Sequence, residues 1–194
     1  MSSKIYFNEN NRRNFSWWLA RGITNSILTL PRVISVKAGK KMLLRPVRNK
    51  SISIPQNMTL QTVKTIEGDI QTYIIGTGPI ILLSHGWSGS ASQFFPLMAR
   101  IAEAGYQAVA YDQIAHGNSS GDLSNLFLFM KIKLAMIAWL EREQPIAAVV
   151  THSMGAYASL AALTSPYPIL LIAPVFKLFE SMIERVKQSG MAPQ

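Results

Sequence analysis

The five residues from Thr151 to Gly155 constrain this chain most, because a serine at their centre separates an apolar run from small residues. The run Ile146 to Val150 predicts a buried strand, and the segment Ala156 to Leu163 predicts a helix. A strand, a sharp turn and a helix in this order expose a serine hydroxyl at the end of a parallel sheet. Such a crowded turn favours small neighbours two residues either side of Ser153; Gly155 is small, whereas Thr151 is β-branched. The stretch therefore predicts that Ser153 is a nucleophile.

Apolar runs and turn residues along the rest of the chain predict a hairpin followed by alternating strands and helices. The hairpin joins strands Thr59 to Ile66 and Ile70 to Ile75 through Glu67-Gly68-Asp69. Strands that alternate with helices imply right-handed crossovers and a mostly parallel sheet. The expected fold class is α/β, with helices on both faces of that sheet. The remaining predicted strands are Ile80 to Ser84, Gln107 to Tyr111, Ile146 to Thr151 and Ile169 to Ala173.

The predicted helices differ in length and in the residues that they are expected to bury. The first runs from Gln93 to Ala104 with Ser92 as its N-cap, and the last from Phe176 to Lys187. A long helix from Leu123 to Arg142 lies between them, and its periodicity predicts one buried side. That side comprises Leu126, Phe127, Met130, Leu134, Ile137 and Leu140.

Histidine-containing or serine-containing turns follow three of the predicted parallel strands. They are His85-Gly86-Trp87, Asp112 with His116-Gly117-Asn118-Ser119, and the turn at Ser153. The carboxyl ends of such strands meet at one crevice, which is where ligands bind in open α/β sheets. The order and spacing of these motifs resemble the α/β-hydrolase family, particularly bacterial members with a His-Gly-Trp loop. The resemblance covers about residues 59 to 180.

The resemblance implies a serine hydrolase that cleaves a carboxylic ester or a related acyl bond. Ser153 would attack the acyl carbon, and the backbone N–H groups of Trp87 and Met154 would form the oxyanion hole. Asp112 and His116 would shape the pocket wall without carrying protons. The full set of residues expected to shape the turns is His85, Gly86, Asp112, His116, Gly117, His152 and Gly155. No cofactor is implied, and no spacing typical of metal ligands is present.

The remainder of a catalytic triad has no counterpart after Ser153. In this family the serine precedes a strand-end acid and then a histidine. No histidine follows Ser153, and the acids that do, Glu180 and Glu184, lie in the last predicted helix. We therefore expect a truncated, fragmentary or split enzyme that is almost inactive alone. Its apolar edge strand, Ile169 to Ala173, predicts poor solubility, partial disorder after Pro174, or dependence on a partner.

Positive charge is concentrated near the amino terminus. Residues 1–50 hold eleven Lys or Arg against one acid, whereas residues 51–194 hold eight basic and nine acidic groups. The segment Phe15 to Val36 mixes tryptophans and aliphatic residues with arginines, and it has no apolar run long enough to cross a bilayer. This pattern predicts an amphipathic helix that either packs against the domain or lies on an anionic membrane surface.

These observations predict three segments, namely a basic leader at 1–50, a hydrolase core at 51–175 and the start of a lid at 176–194. The expected partners are a small acyl substrate and, through the leader, a membrane surface, with no nucleic acid. The chain lacks cysteine, which permits a reducing compartment, and we expect a cytoplasmic protein, peripheral at the inner membrane if the leader binds lipid. Two alternatives to hydrolysis stay open, a non-catalytic pocket-binding module and a membrane-associated protein that has lost catalysis.

Overall fold

A computed structural model describes residues 15–48, 53–161 and 167–188. The chain divides into two compact units, one built from residues up to Lys40 together with those from Phe179 onward, the other from Lys41–Leu178. The first unit contains helix α1 (Phe15–Leu28), most of α2 (Arg32–Leu44) and most of α6 (Leu178–Gln188). None of the described helices is long and apolar enough to cross a membrane.

The helix predicted within Phe15 to Val36 is in fact two helices. Helix α1 ends at Leu28, and Pro31 immediately precedes α2. Proline has no N–H to donate and its ring clashes with the preceding turn of a helix, so a continuous helix through Pro31 is disfavoured. Pro31 instead accepts hydrogen bonds from Ile34 and Ser35 through its carbonyl, which stabilises the first turn of α2.

The second unit is built on one sheet of six strands in the order β1-β2-β4-β3-β5-β6. Strands β1 and β2 form the predicted antiparallel hairpin, β2 is also antiparallel to β4, and the remaining neighbours are parallel. The α/β class with a mostly parallel sheet is therefore confirmed. The strands are β1 (Thr59–Thr65), β2 (Gly68–Ile75), β3 (Ile80–Ser84), β4 (Gln107–Tyr111), β5 (Ile146–His152) and β6 (Ile169–Ile172).

Helices cover both faces of this sheet because its central strands are apolar at consecutive positions. Leu82, Val109 and Val149 pack on one face with Ile132 and Met136 of helix α4 (Leu126–Leu140). Their sequence neighbours face the other way, where they meet helix α3 (Phe95–Glu103). Helix α5 (Met154–Ala161) packs beside α4. The end of α5 predicted at Leu163 lies outside the described residues.

Two predicted helix starts are wrong. Ser92 is not the N-cap of α3, since it lies inside a short 3₁₀ helix, Ala91–Phe94, that precedes it. Helix α4 begins at Leu126 rather than Leu123, because the Asn125 side chain accepts a hydrogen bond from the Leu128 N–H at 3.0 Å and caps the helix there.

The predicted buried side of α4 is also partly wrong. Phe127 is 72% exposed and Leu134 is exposed as well. Helix α4 is apolar around most of its circumference, so several faces fit a helical period equally well. Packing against the sheet and α5 buries a set of residues that includes a lysine. A prediction from hydrophobic periodicity does not place a lysine on the buried side. The residues buried on α4 are Phe129, Ile132, Lys133, Met136 and Leu140.

Strand β6 lies at one edge of the sheet formed by the described residues. It ends at Ile172 rather than at Ala173, whose φ of +44° is incompatible with an extended strand. Leu170, in the middle of β6, is exposed. The edge thus presents an apolar side chain beside the backbone groups that would pair with a further strand.

Candidate active site

A single serine joins β5 to α5. Strand β5 ends at His152 and α5 begins at Met154, so Ser153 makes the turn with a φ of +53°. Its N–H donates to the Ile172 carbonyl at 3.0 Å, and its carbonyl accepts from the Ala156 N–H at 3.1 Å. A positive φ is strained for serine, and strain of this kind concentrates at functional sites. The arrangement is the strand, turn and helix that the sequence predicts.

The two neighbours of this turn differ in how tightly they are packed. A Cβ on Gly155 would lie 2.5 Å from the His85 carbonyl oxygen and 3.0 Å from that of Ser84, so only glycine fits. Thr151 is fully buried and lies opposite Ser84 in the parallel pair of β5 and β3. An extended backbone accommodates a β-branched side chain without strain. The need for a small residue therefore applies on the helix side of Ser153 alone.

The loop after β3 packs directly on the serine. A Cβ on Gly86 would lie 2.7 Å from the Ser153 Cβ and 3.1 Å from its Oγ. Trp87 follows Gly86, so its backbone N–H belongs to the segment that touches the serine. Met154 is the first residue of α5, and the N–H at that position has no acceptor within the helix. The two amides of the predicted oxyanion hole are thus carried by segments on either side of Ser153.

His85 uses both nitrogens of its ring in the fold. Its Nδ1 lies 2.7 Å from the Gly86 carbonyl oxygen, and its Nε2 accepts from the Gln113 N–H at 3.0 Å. These bonds require the neutral tautomer with the proton on Nδ1. Burial of the ring lowers its pKa to about 4. His85 therefore holds the loop and has no free nitrogen to accept a proton from Ser153.

Asp112 fixes the loop after β4. Its Oδ1 accepts from the Ala91 N–H at 2.8 Å, and its Oδ2 from the Asn118 N–H at 2.9 Å and the Tyr73 hydroxyl at 3.1 Å. A Cβ on Gly117 would overlap the same carboxyl group. Burial raises the pKa of Asp112, although the amide donors oppose this shift. Each of these hydrogen bonds to the carboxylate comes from a group of the fold, so Asp112 holds the loop in place.

His116 belongs to a cluster of four rings beside the serine loop. Its ring centroid lies 5.1 Å from His85, 5.4 Å from Trp87 and 5.3 Å from Phe129, and Trp87 stacks on Phe129. Its Nδ1 lies 2.9 Å from the Ile114 carbonyl oxygen, while its Nε2 is buried without a partner among the described residues. Burial lowers the pKa of His116 to about 3, so the ring is neutral. The cluster forms an aromatic wall with one unused acceptor.

His152 precedes the serine and is only partly buried. Its Nδ1 is nevertheless enclosed, and within the described part of the chain this atom has no hydrogen-bond partner. Burial lowers the pKa of this ring as well. No hydrogen bond connects any of the three histidines to the Ser153 hydroxyl across the described residues.

A buried lysine lies behind the elbow helix. The Nζ of Lys133 in α4 donates to the Ser159 hydroxyl, which in turn donates to the Gly155 carbonyl at 2.7 Å. This chain of bonds ties α4 to the first turn of α5. Burial lowers the pKa of Lys133 to about 7. No carboxylate pairs with it among the described side chains.

Sequence reasoning missed Phe129, Lys133 and Ser159. Phe129 and Lys133 belong to a second set of α4 residues at spacings of three and four, and this spacing is the signal that could have identified them. The set was not chosen because it contains a lysine, which is rarely buried. Ser159 carries no signal of its own, because serine is common on any helix face. As for metal sites, no group of three or more histidine or acidic side chains lies together among the residues described.

A sheet of this order, with a serine turn at the carboxyl end of one of its inner parallel strands and a glycine loop against it, defines an α/β-hydrolase. The chain belongs to the family described as serine aminopeptidase, S33, whose sequence model matches residues 77–192, more than half of its length.

Three similar proteins extend this comparison. Over 44 residues the chain is 48% identical to a proline iminopeptidase of Clostridioides difficile (strain 630), covering 23% of this chain and 15% of that protein. An epoxide hydrolase from an endophytic Streptomyces matches with a TM-score of 0.53 and 26% identity, over 60% of this chain and 37% of the other. An esterase of Pyrococcus furiosus matches with a TM-score of 0.63 and 20% identity, over 77% and 66%, which shows a shared fold. The chain spans less than two thirds of each.

Proposed function

We propose that this chain supplies the nucleophile and the oxyanion-binding amides of a serine hydrolase for carboxylic esters or related acyl bonds. The observation that carries the proposal is the position of Ser153, strained at φ +53° with Gly86 packed against its hydroxyl. This close approach places the backbone of Trp87, the residue after Gly86, in the segment beside the serine. Membership in a hydrolase family supports the same reaction class.

In this reaction the Ser153 Oγ bonds to the acyl carbon while its proton leaves to a base. The carbonyl oxygen then carries negative charge, which the N–H groups of Trp87 and Met154 would bind. The positive end of α5 would add to this stabilisation. Collapse of the intermediate would expel the alcohol or amine and leave an acyl group on Ser153, which water then removes.

The nature of residue 153 favours acyl transfer over epoxide opening. In the α/β-hydrolase family, epoxide hydrolases and dehalogenases usually carry an aspartate at the position of Ser153. A similar epoxide hydrolase therefore supports the fold more than the substrate. Esters, thioesters, amides and lipids all present the acyl carbon that a serine attacks, and the names of similar proteins include an esterase and an iminopeptidase.

We further propose that the isolated chain turns over slowly because no base reaches the serine. His85 has both nitrogens engaged, and His116 and His152 make no hydrogen bond to Ser153 among the described residues, while burial lowers the pKa of both rings and so weakens them as bases. An external base should then restore part of the reaction. The test is hydrolysis of p-nitrophenyl acetate by the 194-residue chain with and without added imidazole.

We expect imidazole to raise the hydrolysis rate of the unaltered chain above the rate that imidazole gives without protein. The control variant Ser181→Ala, which changes an exposed serine of α6, should respond in the same way, and Ser153→Ala should not. Intact-mass analysis of acid-quenched samples should show one acetyl group, located on Ser153. Equal imidazole-dependent rates in the Ser153→Ala variant would refute the assignment of the nucleophile. Fast hydrolysis without imidazole would refute the absence of a base.

A second function, binding of a small apolar acid or ester without turnover, is favoured by the ring cluster at the site. Trp87 and Phe129 stack beside two neutral histidines, which gives an apolar wall with a single unused acceptor on His116. Titration of the chain's tryptophan fluorescence with hexanoate and with ethyl hexanoate tests this function. Saturable binding that survives Ser153→Ala, with no product released at any imidazole concentration, would favour it over hydrolysis.

A further inference from the structure

Helix α1 has one face that is apolar and exposed. Phe15, Trp18, Leu19 and Ile23 follow spacings of three and four residues, so they share a face, and Phe15 is 83% exposed. The opposite face contains Thr24, which is buried and whose hydroxyl bonds the Ala20 carbonyl at 2.9 Å. Large apolar residues that cluster on an exposed face mark an interaction surface rather than scattered surface residues.

Helix α2 presents an exposed face of a different composition. Val33, Ile34, Lys37, Lys40 and Lys41 lie on one side of the helix at helical spacing, and all five are exposed, Val33 by 82%. The other side carries Ser35, which is buried. The lysines lie from the middle of the helix to its last turn, and the aliphatic residues lie in its first turn. This face therefore combines long cationic side chains with apolar ones.

The charge of residues 15–48 indicates which partner suits the exposed faces of both α1 and α2. Between residues 15 and 48 there are seven Lys or Arg and no Asp or Glu. A cationic surface without carboxylates attracts anions, and an apolar helix face with tryptophan, such as that of α1, suits the boundary between lipid headgroups and acyl chains. A nucleic acid would match the lysines but would leave the α1 face in water.

We propose that α1 and α2 attach this protein to an anionic phospholipid surface. The apolar face of α1 lies in the plane of the membrane within the headgroup boundary, and the α2 lysines bind lipid phosphates. Attachment is peripheral, consistent with described helices that are too short or too polar to span a bilayer. The contact uses none of the residues around Ser153, so it is independent of the hydrolase reaction.

Flotation of the full chain with vesicles tests the proposal, because aggregated protein stays at the bottom of a density gradient. We expect the chain to float with vesicles of phosphatidylcholine and phosphatidylglycerol, but not with phosphatidylcholine alone. Binding should weaken as sodium chloride is added, since salt screens the attraction of surface charges. Ser153→Ala should float like the unaltered chain.

Variants separate the electrostatic part from the apolar part. Lys37→Gln/Lys40→Gln/Lys41→Gln should lower the partition coefficient about a hundredfold, because each basic residue near an anionic surface contributes about fivefold. Trp18→Ser/Leu19→Ser should lower it about tenfold or more, because two large apolar groups no longer enter the boundary. The matched control is Lys64→Gln/Ile66→Ser in the β1–β2 hairpin, also exposed, which should bind normally.

Three outcomes would overturn the proposal. The first is equal flotation with both vesicle types, since charge would then have no role. The second is no flotation at low salt by a chain that is folded by circular dichroism. The third is a loss of self-association in Trp18→Ser/Leu19→Ser without vesicle binding by either form, which would assign the α1 face to contacts between copies of the chain.

Discussion

Lys133 should make this protein more stable as the pH rises from 7.5 to 9.5. Its side chain is 3% exposed, and burial lowers its pKa to about 7 from an ordinary value near 10.5. Between these two values the unfolded chain holds a proton that the folded chain has released. Stability therefore increases with pH through this window, and below about pH 7 the full cost of burying the charged lysine remains.

The magnitude follows from the shift. At pH 7.5 a lysine with an unfolded pKa near 10.5 must lose its proton to fold, which costs about 4 kcal/mol, three times the 1.36 kcal/mol of one pH unit. The hydrogen bond from Lys133 to Ser159 returns about 1 to 2 kcal/mol. Lys133→Met keeps a side chain of similar length and removes both effects. We expect it to raise the free energy of unfolding at pH 7.5 by about 2 to 3 kcal/mol.

Urea unfolding followed by tryptophan fluorescence at pH 7.5 and 9.5 measures both quantities. The unaltered chain should gain about 2 to 3 kcal/mol over the two pH units, and Lys133→Met should gain much less. Lys131→Met is the matched control, because Lys131 lies on the same helix but is exposed and pairs with Glu67 at the surface. A Lys133→Met variant that is strongly destabilised at pH 7.5 would mean that the lysine is charged and paired, and the reasoning would be wrong.

Two further substitutions test the loops and caps around the site. Gly117→Ala should destabilise the chain by about 3 kcal/mol or more, because Gly117 has a φ of +44° and an added Cβ would overlap the Asp112 carboxyl group. Gly39→Ala is the control, since Gly39 lies on α2 with open space around it, and this substitution should be neutral or slightly stabilising. Thermal unfolding compares the two variants. Asn125→Ala should cost about 1 kcal/mol by chemical denaturation through loss of the α4 cap, and an unchanged midpoint would show that the cap contributes little.

The sequence was sufficient to predict the type of each element of the sheet and the order of these elements along the chain. Strands β1 to β5 fall within a few residues of their predicted bounds, because each is short and bounded by turn residues, and because β3, β4 and β5 are apolar runs buried on both faces. Helix ends were predicted less well. The cap predicted at Ser92 and the helix start predicted at Leu123 were wrong, because several polar residues in each loop could begin a helix and the surrounding loop decides which does.

The residues of the candidate site also fall into those that local sequence identifies and those that depend on tertiary packing. The serine turn and its glycines are local, so Ser153, Gly155 and Gly86 could be recognised from the residues around them. Phe129 and Lys133 were missed, because several faces of an almost uniformly apolar helix fit the helical period and only packing decides which of them meets the sheet.

By itself the sequence determined an α/β sheet with a serine at the end of one of its parallel strands, since hydrophobic period and turn chemistry are properties of neighbouring residues. The tertiary structure alone decided that a lysine is buried behind the elbow helix, that the histidine rings are held neutral, and that one face of α1 stays exposed. Each of these depends on how segments distant in the chain pack, because packing desolvates some groups and leaves others in water, and local sequence does not set it.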